Sequence, residues 1–167
     1  MAVTTEYSTQ YNGPDRTIAM TSLAPVMFRK VVIPFDFTQG SAAGDATSTA
    51  RIFRLPPGLV YFFPKESYIQ WSDMGSSPEL DIGYGAYKTL AGVAVVADDN
   101  LFDDAIDASS AGEALMGSDY GVGTAGATGM YKKFETLEGV DIIVSGPDEG
   151  IPAAATLGGY LTIGLPN

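Results

Sequence analysis

The chain has 167 residues, 46% of them apolar, with 20 acidic against 9 basic side chains and a net charge of −11. It has no cysteine and no histidine, which excludes disulfides, Cys/His zinc centres and imidazole-dependent nucleophilic catalysis. The acidic balance opposes binding to nucleic-acid phosphate or to an anionic membrane surface, both of which require clustered Lys and Arg.

Residues 1–28 are polar and rich in Thr, Ser and Tyr, with a turn signal at Gly13-Pro14-Asp15. They read as an extended N-terminal arm, or as a tail carrying a first edge strand, ahead of one domain over 29–167. The start lacks the basic and apolar blocks of a secretory signal. The longest run of small apolar residues, 90–97, is far short of a membrane span. Synthesis in a cytoplasm and a soluble product are therefore expected.

From residue 29 the pattern is β. Val31, Ile33, Phe35 and Phe37 share one face by period two, and Pro34 marks an edge or a bulge because it cannot donate to a ladder. A loop over 40–45 leads to a strand over 47–55, then a turn at Pro56-Pro57-Gly58 and an apolar strand over 59–63. Further strands are predicted over 66–71, 78–84, 130–136, 140–145 and 157–165. Ser109-Ser110 with Glu113 forms a capping-box pattern for a short helical turn reaching Met116. About eight strands between Gly, Pro and Asp turns predict an all-β, jelly-roll-like sandwich with a long acidic and Gly-rich connection.

The candidate chemistry lies in that connection. Asp98, Asp99, Asp103, Asp104 and Asp107 fall within ten residues. Asp98, Asn100, Asp103 and Asp104 offer oxygen ligands of the kind calcium needs, but Phe102 and the missing turn Gly break the EF-hand pattern. The bland alternative is a solvated acidic turn with Phe102 and Ile106 packed inward. A carboxylate hydrolase needs two acids about 5–10 Å apart across a cleft, and 20 acids supply such pairs by chance. Gly121, Gly123 and Gly126 satisfy G-x-G-x-x-G without the flanking strand and helix that a dinucleotide site requires. No cofactor and no catalytic residue is assigned.

The segments LDIGYGAY (80–87), VVADDNLFDDAIDASSAGEALMGS (95–118), KKFET (132–136), GVDIIVSG (139–146) and GIPAAATLGGYLTIG (150–164) resemble small virion proteins of tailed bacteriophages, the head decoration or cement proteins. The resemblance spans roughly 38–164. It implies a non-enzymatic virion structural protein on the capsid surface, made in the host bacterial cytoplasm. Its implied partners are the major capsid protein and further copies of itself as a homotrimer, with no nucleic acid and no membrane. It also implies an arm that reaches neighbouring subunits, with Tyr7, Tyr11, Met20 and Met27 as contact residues. The alternative is a tail or baseplate carbohydrate-binding module using Trp71 and loop tyrosines; a carboxylate-based hydrolase ranks behind both.

Overall fold

The computed structural model describes residues 5–7, 28–75, 78–120 and 130–166. Thirteen strands run through them: β1 (Thr5–Tyr7), β2 (Phe28–Thr38), β3 (Thr49–Leu55), β4 (Gly58–Phe62), β5 (Tyr68–Trp71), β6 (Glu79–Tyr84), β7 (Tyr87–Lys88), β8 (Ala94–Val95), β9 (Asp98–Asp107), β10 (Gly112–Leu115), β11 (Lys132–Thr136), β12 (Val140–Ser145) and β13 (Thr156–Pro166). A single 3-10 turn, Pro64–Glu66, separates β4 from β5. No helix among the described residues is long and apolar enough to cross a membrane.

The strands form two sheets packed face to face, with β7 and β8 as a separate hairpin. The first sheet has the order β1-β3-β12-β6-β9. The second has β10-β5-β13-β4-β11, with β2 on the other side of β13. The 11-residue β13 pairs along its length with β2 on one side. On the other it is shared by β5 (through Leu157–Tyr160) and β4 (through Ile163 and Gly164). Ser67 holds the jog between those two strands: its hydroxyl donates to the Phe63 carbonyl at 2.8 Å and accepts the Thr162 N–H at 2.9 Å.

Period-two alternation delivers the core. Val31, Phe35 and Phe37 of β2, Val60 and Phe62 of β4, and Leu161 and Ile163 of β13 meet Ile52 and Leu55 of β3, Leu80 and Ile82 of β6, and Ile142 and Val144 of β12 in one apolar cluster. Ring contacts cross between the sheets, Phe62 to Phe102 at 4.8 Å and Tyr84 to Phe134 at 5.4 Å. Pro34 sits where its missing N–H costs least: among the described residues its strand pairs only with β13 and forms a sheet edge. Both faces of β12 are buried. On its outward side Asp141 takes Arg51 at 3.1 Å and Arg54 at 3.0 Å.

Two expectations are corrected. The acidic stretch 98–107 is no solvated connection but strand β9, paired antiparallel with β6. Gly83 permits this, because the β9 backbone crosses directly over it. A Cβ there would lie 2.0 Å from the Asp98 carbonyl oxygen. The predicted helical turn toward Met116 is instead β10, in register with β5. Glu113 accepts a hydrogen bond from the Tyr68 hydroxyl rather than completing a cap, and Gly112 lies against the Trp71 ring with no room for a side chain. Tertiary pairing outweighs the few tenths of a kcal/mol per residue that separate local propensities.

Candidate functional site

Strand β9 is built around two irregularities. Asp98 lies opposite Tyr84, Asp103 opposite Ile82 and Ile106 opposite Leu80, so β9 carries more residues than its partner over the same span. The second irregularity falls at Ala105, with φ at 57°, whose N–H donates to the Asp81 carboxylate at 2.9 Å. These offsets turn neighbouring acids apart. Asp103 is 2% exposed and Phe102 is fully enclosed. Asn100 and Asp104 face solvent, while Asp98 is half-buried. Among the described residues no three acidic side chains gather in a way that would hold a metal ion.

Asp103 is joined instead to the 116–120 turn. The Ser118 hydroxyl reaches both of its carboxylate oxygens, at 2.8 and 2.7 Å, and the Asp119 carboxyl lies beside it in hydrogen-bonding range. Burial, reinforced by the Asp119 charge, pushes the Asp103 carboxyl up to about 6, against the lowering effect of the Ser118 hydrogen bond. Asp81 is raised as well, first by burial and then by Asp104, Asp99 and Glu79. Asp107 is lowered, because Ser109 hydrogen-bonds its charged form. Tyr120 completes the junction: its ring packs on Phe102 at 5.7 Å, and its hydroxyl donates to the Tyr131 carbonyl at 3.1 Å. The arrangement fastens the 116–120 turn to β9 through a buried, hydrogen-bonded carboxyl.

A groove of about 640 Å³ lies elsewhere, on the second sheet, lined among others by Asp36, Thr38, Gln70, Ser72, Glu113 and Gly158. Asp36, Gly158, Gln70 and Glu113 stand in one register row across four strands. Three strand spacings separate its two acids by about 14 Å at the backbone. Trp71 is only 8% exposed and its indole N–H donates to the Ser110 carbonyl at 3.0 Å, so its ring belongs to the core. A stacked pair, Tyr68 on Tyr160 at 5.6 Å, occupies the outer face one row away. The opposition of Tyr160 to Leu161 and Ile163 along the strand was its one signal in the sequence. Tyr11, Met20, Met27 and the Gly121–Gly126 motif lie outside the described residues, as does the side chain of Tyr7; the Tyr7 backbone ends β1, which pairs parallel with β3.

No family model matches the sequence, and no curated protein matches it. Among solved structures the fold is similar to a chain of the cyanophage Pam1 capsid asymmetric unit, with a TM-score of 0.47 and 15% identity over 92% of this chain and 100% of that one. It is similar also to a chain of infectious bursal disease virus, Gx strain, with a TM-score of 0.47 and 13% identity over 92% of this chain and 36% of that one.

Proposed function

We propose that this protein is a structural component of a bacteriophage virion, a non-enzymatic decoration (cement) protein bound on the outside of the major-capsid lattice. The observation that carries the reading is the strand order. The row β2-β13-β5-β10 faces the row β3-β12-β6-β9, and between successive strands of these rows the chain crosses from one to the other except at β6 to β9, which pair within one sheet. With β4 and β5 counted as one interrupted strand, that order supports a jelly roll, an architecture recurrent in viral capsid and lectin domains. The resemblance of 80–87, 95–118 and 150–164 to cement proteins points the same way. A net charge of −11 suits an outer position, where it keeps particles soluble and away from nucleic acid. Self-association as a trimer belongs to the same reading.

Cryo-electron microscopy of purified particles, with copy number by quantitative mass spectrometry, tests it. Copies distributed over the icosahedral shell are expected, together with coating of undecorated heads by added protein. Density confined to the tail would overturn it in favour of a glycan-binding module. That second reading draws on the polar groove bearing Gln70, Glu113 and Thr38.

A further inference from the structure

Two mainly apolar surfaces stand exposed among the described residues. The first is the β7–β8 hairpin. Its tip is closed by the Thr89 N–H to the Val93 carbonyl and the Gly92 N–H to the Thr89 carbonyl, each 2.8 Å, and by the Val93 N–H to the Thr89 hydroxyl at 3.1 Å. Its base is fixed by the Leu137 N–H to the Lys88 carbonyl at 2.9 Å and by the Tyr87 ring against Phe134. On this ordered support Leu90, Val93 and Val96 are 52%, 61% and 82% exposed. No charged residue occurs between Lys88 and Asp98, in a chain whose net charge is −11. Rigid apolar projections of this kind mark interaction sites, since the ordering entropy of docking is already spent in the fold.

The second surface is the outer face of the β2-β13-β5-β10 sheet. Pro34, Tyr160, Tyr68 and Leu115 lie in one register row, flanked by exposed Val32. The row is about 14 Å wide from three strand spacings, enough to seat a two-stranded hairpin. Exposed Asp36 and Glu113 border it on one side and the exposed Lys30–Glu66 ion pair on the other, and exposed Lys88 borders the hairpin.

We propose that the hairpin of one copy docks on this row of a second copy, with Leu90, Val93 and Val96 on the Tyr160, Tyr68 and Leu115 side chains and Lys88 toward Glu113 and Asp36. The occupant is another copy because one chain carries both halves, matched in width and apolar character, with Lys88 beside the hairpin and the Glu113 carboxylate held on the Tyr68 hydroxyl of the row. A strongly acidic copy approaches its like most easily where the acids of one face meet a base of the other, here Glu113 and Asp36 with Lys88. The two halves are different surfaces, so the contact is head-to-tail; such a contact forms a ring or an open filament according to its rotation, and the trimer of the proposed function requires the ring. This deepens the self-association within the proposed function. It is decided in solution, so its failure leaves the copy-number test of the virion reading intact.

Sedimentation of the full chain is expected to show a closed oligomer that Leu90→Asp or Tyr160→Asp alone abolishes. Both sites are exposed, so unchanged melting curves confirm the fold. Mixing the two variants is expected to restore a one-to-one dimer, because one intact hairpin and one intact row remain. The absence of native cysteine gives a second readout: Val93→Cys and Leu115→Cys should form a disulfide under mild oxidation only when mixed. A wild type that stays monomeric at about 100 μM, which places any self-association Kd above that concentration, would overturn the proposal. So would an oligomer that survives either Asp substitution, or cross-linking of each Cys variant with itself.

Discussion

Burial raises the Asp103 carboxyl to about 6, above its ordinary 3.8, so folding and proton uptake are linked at this side chain. For an acid raised in the folded state, the favourable contribution is fully present below the unfolded value and is lost as pH rises through about 6. Thermal stability should therefore decline on account of this group as pH rises from 3.8 to about 6, and level off above that. Asp81, raised by the same cause, contributes with the same sign. Asp103→Asn, whose amide can accept from Ser118 and donate to Asp119, is expected to reduce that slope and raise Tm at pH 7.5 by about 2–6 °C. Calorimetry across the pH range checks this, and an unchanged slope would remove Asp103 from the account. Ser67 is a second residue whose position carries consequence. Ser67→Ala strands the buried Thr162 N–H and should cost about 1–3 kcal/mol in urea unfolding.

Strand β9 shows why an element can be hidden in its own residues. Its acids disfavour strand by composition, and its register offsets break the period-two signal, so only the inward packing of Phe102 and Ile106 was legible. What makes it a strand is β6 beside it and the bare Gly83 beneath it. Its exposed acids then have a structural use, since charge on an edge strand discourages pairing with other sheets. Phe102 anchors it between Phe62 and Tyr120, and Phe102→Ala is expected to cost about 3–5 kcal/mol. Gly83→Ala, which drives a methyl into the Asp98 and Asp99 backbone, should release β9 before the rest of the sandwich unfolds. Hydrogen exchange would show its amides losing protection ahead of those of β12.

At the scale of the whole molecule, charge and topology act separately. The sequence pI near 4.1 predicts that solubility passes through a minimum near pH 4, where repulsion between copies vanishes; turbidity against pH measures this. The all-β class and eight of the strands were readable in advance, because alternation on β2, β12 and β13 follows from local geometry: successive side chains point to opposite faces of any strand. So were the exclusions imposed by the missing cysteine and histidine. The partners of those strands were not readable. That β13 is shared by β4 and β5, that Asp103 is enclosed while Asp104 is not, and that Trp71 belongs to the core all depend on residues tens of positions apart. Their contact energies exist only once both sheets have closed over a common interior.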